Sequence, residues 1–298
     1  MGTGPLRGAL LDRATQRWVI ATGRPVAFVE HAWLDGPVGA PEAIGDAWIG
    51  EHAARVGASL AEDGDGGLLP DFRSCDGPGF DAARLLGEVR DFYESTARWD
   101  LEVWSRWSRW AEPGGRVLDA LFARRLRQLA LPLDPLHTVY GMESRVITFA
   151  DAEGRHLGTA WQRTLRATGA TVFGGFYGVV RLPGAARPSI RVVFPLPNGS
   201  ATVFLRPDAT DGGGLRLASP RGDFGEDGAY LVVRPAGSDR GWARRIPLPE
   251  RFEVFVDASG VVRCDHQLRL HGAEVLRLHY RLQRRASAGV SGGPTGQR

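Results

Sequence analysis

From residue 140 onward apolar and polar side chains alternate one by one, the period of a strand that buries one face and shows the other to water. Eleven runs carry the pattern: RVITF, LGTAWQRTL, TVFGGFYGVVRL, SIRVVF, ATVFLR, LRLA, AYLVV, WARRI, FEVFV, VVRCDHQLRL and VLRLHYRL. Turn residues separate them, with Asn198-Gly199 the strongest short hairpin signal. The links are too short for parallel crossovers, so the pattern predicts an antiparallel meander. A sheet of that many strands is expected to close into a barrel or fold over into a sandwich. The shape is calycin-like, an analogy of architecture that brings no residue-level function with it.

The pattern before residue 140 differs. Stepping about 100° per residue from Phe92 gathers Leu85, Val89, Tyr93, Ala97, Trp99, Val103, Trp104, Trp107 and Trp110 on one side. Arg84, Glu88, Asp91, Glu94, Arg98, Glu102, Arg106 and Arg109 fall on the other. This spacing predicts one amphipathic helix over residues 81–110, roughly 45 Å long at 1.5 Å per residue. Pro113-Gly114-Gly115 should stop it, with a second helix over 116–129. Further upstream, Pro41 is placed to open a helix reaching about Ala61. RWVIAT and PVAFVEHAWL read as short strands. The expected organisation is α+β: an N-terminal segment over 1–78, a helical segment over 79–139, the antiparallel β domain over 140–286 and a flexible tail over 287–298.

Composition narrows the class of protein. With 298 residues, 43% hydrophobic and 24% charged, the chain has the make-up of a globular protein. All 37 basic residues are arginine, as GC-rich coding produces, so their number is no argument for nucleic-acid binding and no nucleic-acid partner is expected. Residues 1–139 carry 15 arginines against 20 carboxylates, and residues 140–298 carry 22 against 14, so the two parts have opposite net charge. Two cysteines allow no disulfide framework. There is no run of apolar residues long enough for a membrane span and no signal-peptide core at the start, which points to the cytoplasm.

Few residues are out of place for a simple core. Asp100 projects into the middle of the apolar arc between Tyr93, Trp104 and Trp107, where a carboxylate costs several kcal/mol unless paired or protonated. An arginine from the basic half or a wet cavity would satisfy it. His266 shares its strand face with Val262, Cys264, Leu268 and Leu270, so its imidazole either finds a partner in the core or points into a cavity. Gly174 and Gly175, with Gly178, interrupt an aromatic strand and mark a bend or a close approach. Cys264 and His266 have no third ligand in reach, so no metal is expected. No phosphate loop, dinucleotide fingerprint or zinc motif occurs, and no cofactor is expected. GVSGG in the tail matches a nucleophile elbow by letter, but lacks the strand-to-helix turn that motif needs.

The tryptophan-rich helix has charge of both signs on its polar face, so no strong membrane association is expected. These features together predict a cytoplasmic binding protein for a small hydrophobic or amphipathic molecule. The site would lie between the curved sheet and the helix, lined by Asp100, Trp104, Trp107, Gly174, Gly175 and His266. An enzyme using Asp100 or His266 as acid or base, and a structural or interaction protein with a solid core, are the alternatives.

Overall fold

A computed structural model of the chain describes residues 10–39, 45–108, 142–166, 169, 171–270 and 272–285. The fold is mostly antiparallel β-sheet with few helices. All eleven alternating runs are strands: β4 (Met142–Ala150), β5 (His156–Leu165), β6 (Thr171–Val180), β7 (Ser189–Leu196), β8 (Gly199–Ala209), β9 (Leu215–Ser219), β10 (Gly228–Val233), β11 (Arg240–Ile246), β12 (Glu250–Val256), β13 (Val262–Leu270) and β14 (Ala273–Arg284). Residues before 140 supply three more: β1 (Arg24–Ala27), β2 (Ser59–Ala61) and β3 (Trp99–Trp107).

The strands form one 14-stranded sheet in the order β2-β4-β5-β6-β7-β8-β9-β12-β13-β14-β3. It branches at β8. Residues 199–204 of that strand pair with β10, which carries β11 and β1, while residues 206–209 pair with β9. The β7–β8 turn is centred on Pro197-Asn198, one residue before the expected Asn-Gly, and Asn198 adopts a left-handed φ of 59°. The expected barrel is not formed. Among the described residues β3 and β4 come near each other but share no ladder, so the sheet curls round without closing.

The largest correction concerns the tryptophans. Helix α3 spans only Gly87–Glu94; a 3-10 turn follows at Thr96–Arg98, and Trp99–Trp107 is an edge strand on β14. Thr96 ends the helix by donating its hydroxyl to the carbonyl of Phe92 at 2.6 Å, a local bond that competes with the helix ladder. WDLEVWSRW also alternates with period two, and the unpaired side of β14 gives that period a hydrogen-bonding partner. The expected second helix over 116–129, and Trp110, lie outside the described residues. Two smaller readings also change: RWVIAT ends helix α1 (Leu10–Thr22), and the helix from Pro41 is described as α2 (Ala47–Val56), followed by β2.

Both faces of the curled sheet are covered. Outside, α2 sets Trp48, Ile49 and Ala53 on Ile147, Phe149, Ala160, Phe176 and Val193. Residues 26–34 set Trp33 and Leu34 on Phe204 and Tyr230. Inside, the segment from Leu68 to Trp99 fills part of the concavity, packing Phe72, Val89, Phe92 and Tyr93 against Val146, Trp161, Leu217, Val254 and Cys264. Each fully buried side chain of this size contributes about 1.5–3 kcal/mol. Gly67 lets that segment lie on the end of α3, since a Cβ there would stand 2.3 Å from the Glu94 carbonyl.

Candidate functional site

The concave face not filled by residues 68–99 is built from two distant parts of the sheet. Register places Arg163 of β5 opposite Phe173 of β6, with Trp161 two residues earlier on the same face. Tyr280 of β14 approaches from the other wing, its ring centroid 5.8 Å from the Arg163 guanidinium carbon. Strands so far apart in the sheet order meet only because the sheet curls. The same carbon lies 4.7 Å from the Trp161 ring and 4.7 Å from the Phe173 ring. Trp161 is held by a 2.8 Å bond from its Nε1 to the Ser144 hydroxyl.

Arg163 is 7% exposed, and its Nε and Nη1 are buried with no hydrogen-bond partner among the described residues. Aromatic faces satisfy charge but not directional N–H groups. The Tyr280 hydroxyl accepts a hydrogen bond from the Arg163 guanidinium, and the Tyr177 hydroxyl lies within electrostatic reach of Arg163, Glu250 and Cys264. Burial pushes Tyr280 up to about 12, against the opposing pull of Arg163. Yet Phe173, Tyr177, Phe194, Phe252 and Tyr280 are only partly buried, although they point inward.

On the facing wall His266 stacks on its cross-strand partner Phe252, with centroids 3.7 Å apart and planes 14° from parallel. Its Nε2 lies 3.2 Å from Glu250 Oε2, and its Nδ1 is buried without a partner. The Glu250 amide donates to the Ser219 hydroxyl at 2.8 Å, which anchors the strand start. Burial pushes the Cys264 thiol up, holding it as thiol rather than as the thiolate a nucleophile requires.

Of the six residues singled out in the sequence, the structure brings His266 and Gly175 to this interior. Gly175 pairs with Trp161, and a Cβ on it would press on the Phe173 ring at 3.2 Å. Its neighbour Gly174 points to the opposite face of the strand. Trp107 lies on the inward face of β3 with its Nε1 buried and unpartnered, whereas Trp104 is 51% exposed on the outward face beside His279. Asp100 is also outward, accepting a 2.8 Å bond from Arg285 Nε. The reading of a carboxylate inside an apolar arc fails because that arc assumed a helix. Arg163, Glu250 and Tyr280 were passed over. The alternation that marked His266 also puts Arg163 on the face of Trp161, and would have marked it.

A second charged cluster sits outside the sheet at Asp35. Its carboxylate takes Arg234 at 2.5 Å and Arg55 at 3.1 Å, while its backbone carbonyl accepts from Arg191 at 2.5 Å. Arg55 Nη2 also lies 3.0 Å from His52 Nδ1. Burial, then the charge of Arg55, lowers His52 to about 3. Burial lowers Arg191 to about 10.

No protein-family profile matches the chain, and no solved structure matches it. Residues of this chain are 30% identical over 217 positions to the uncharacterized membrane protein YndJ of Bacillus subtilis (strain 168). That match takes in 72% of this chain and 37% of the relative, so the chain spans little more than a third of that protein's length. Among the described residues no helix is long and apolar enough to cross a membrane.

These findings correct two expectations. A cytoplasmic setting, inferred from two cysteines and no apolar run, does not stand beside a relative described as a membrane protein. The site for a hydrophobic or amphipathic molecule beneath a tryptophan-rich helix loses its cover, because that stretch is strand β3. The acid–base alternative through Asp100 falls with the surface position of that carboxylate.

Proposed function

We propose that the chain works at a membrane as a non-spanning β-sheet module, held there by a membrane protein rather than by lipid. The observation that carries this reading is the 217-residue match to part of a protein described as a membrane protein. The match takes in 37% of that relative, so the chain corresponds to one part of a larger protein. The outward arginines of the sheet favour protein over lipid or nucleic acid. Arg216 pairs with Glu253, Arg263 with Asp257, Arg277 with Asp265, Arg281 with Glu102 and Arg285 with Asp100. A face on which many cations already have carboxylate partners has less attraction left for phosphates.

Fractionation of cells of the source organism tests the reading. The chain should sediment with membranes and should not bind protein-free anionic vesicles at physiological salt. Recovery entirely in the soluble fraction, or tight binding to those vesicles, would contradict it.

A further inference from the structure

We propose that the groove between α2 and the outward face of β2 and β4 docks a basic polypeptide segment, taking one of its apolar side chains between cationic ones. The proposal rests on the membrane reading only for which protein supplies that segment.

Three observations lead to it. First, the fold leaves an open groove of about 310 Å³, walled by Ile49 and Gly50 of α2 and floored by Leu60 and Ile147. Leu60 lies opposite Phe149 in the β2–β4 ladder, so it shares the outward face with Ile147 and Arg145, and it is 44% exposed. Small-ligand pockets hold about 300–1,000 Å³, so an open groove at the low end suits one or two side chains of a peptide.

Second, Gly50 stands inside a helix without a local reason. Its φ is not positive, and a Cβ on it would meet nothing within 4 Å. Glycine inside a helix costs stability relative to alanine, and here no closer packing is obtained in return. What its bare backbone does is keep the wall of the groove open.

Third, the charge around the groove chooses the occupant. Glu62 holds Arg145 in a two-pronged pair, with Nε at 3.0 Å and Nη2 at 2.9 Å, so the cation of the lining is already matched. Asp46 is the N-cap residue of α2, yet its side chain makes no capping bond, and it is exposed with no ion pair to a described residue. Glu143, two residues from Arg145 on the same face of β4, is exposed as well. Three carboxylates against one guanidinium repel anionic lipid and nucleic acid and attract lysine or arginine. Membrane proteins concentrate these two residues in the loops beside their spans on one side of the bilayer.

The test titrates the whole chain, methyl-labelled at isoleucine, with acetyl-Lys-Lys-Leu-Lys-Lys-amide. Two control peptides replace the leucine by serine, or all the lysines by glutamate. The Ile49 and Ile147 methyl resonances should shift saturably, with an affinity roughly tenfold or more above that for either control. Gly50→Leu should fill the groove and abolish the saturable shift of Ile147, while Tm stays equal or rises. Asp46→Asn keeps an N-cap residue and should weaken binding by roughly threefold, the effect of one exposed charge pair. Should Gly50→Leu fail to fold, Asp46→Asn and the control peptides decide. Resonances that do not move, a control peptide that binds as well as the basic leucine peptide, or undiminished binding by a folded Gly50→Leu or by Asp46→Asn would overturn the proposal. Fractionation decides the membrane reading separately: a wholly soluble wild type that binds the basic leucine peptide as expected contradicts that reading and supports the groove.

Discussion

The Arg163 guanidinium stands 4.7 Å from the Trp161 ring, two residues away on the same face of β5. Each cation–π contact of this kind contributes about 0.5–2 kcal/mol. Two buried guanidinium nitrogens without acceptors cost about 1–3 kcal/mol each. The contacts and the unbonded groups roughly cancel, so stability does not explain an arginine here. A methionine or leucine would fill the same space among Trp161, Phe173 and Tyr280 without that cost. The interior holds a guanidinium whose Nε and Nη1 find no acceptor among the described residues.

Asp100 illustrates the opposite case. Its pair with Arg285 is on the outer face of β3, with the two side chains 53% and 38% exposed. Such pairs contribute at most about 1 kcal/mol. Asp100→Asn should therefore shift the urea midpoint only slightly, and a loss of several kcal/mol would show that β3 is turned the other way.

Asp35 should behave differently. It holds Arg55 and Arg234 by its carboxylate, and Arg191 by its carbonyl. Asp35→Ala leaves two guanidinium groups without their partner, one of them 15% exposed, and should cost about 2 kcal/mol or more. Equilibrium denaturation of the variant checks this, and near-neutral behaviour would mean that the cluster is not packed as described.

His52 sets a pH dependence. Its imidazole faces Arg55, Asp35, Arg191 and Arg234, and burial lowers it to about 3 in the fold from an ordinary value near 6.5. The unfolded chain therefore takes up a proton that the folded chain refuses. The stability tied to this group is complete above about pH 6.5 and is lost as pH falls toward 3, by at most about 1.4 kcal/mol per pH unit. The wild type should lose stability faster than His52→Gln between pH 6 and pH 4. Parallel curves for the two proteins would contradict the assignment.

The β half alone should not survive excision. A fragment of residues 142–285 leaves β14 without β3 and uncovers the inner surface packed by Phe72, Phe92 and Tyr93. It should aggregate on size-exclusion chromatography. A soluble monomer with a cooperative melt would show that the 68–107 segment is not part of the core.

Much of the sheet was legible because alternation persisted through all eleven runs. Even the interior polar residue His266 stood out by its face. The 98–110 stretch misled because tryptophans at 99, 104, 107 and 110 fit a helical arc, while WDLEVWSRW fits a strand equally well. Local sequence does not choose between these periods; the open edge of β14 does. Nor does any local pattern tell that β5 and β14 will face each other. The meeting of Arg163 with Tyr280 depends on how far the sheet curls, which arises from the branch at β8 and the packing of residues 68–99 inside. The site was missed because it is made by curvature.

The central claim is that Arg163 is a buried cation with two unbonded nitrogens inside the curled sheet, and not a keystone of the fold. Thermal and urea denaturation of Arg163→Met in anion-poor buffer tests it most directly. The account predicts stability equal to the wild type or higher by up to about 2 kcal/mol, because the substitution removes two buried unbonded nitrogens and keeps the packing volume. A loss of about 3 kcal/mol or more would contradict it, by showing that the guanidinium is fully satisfied within the protein.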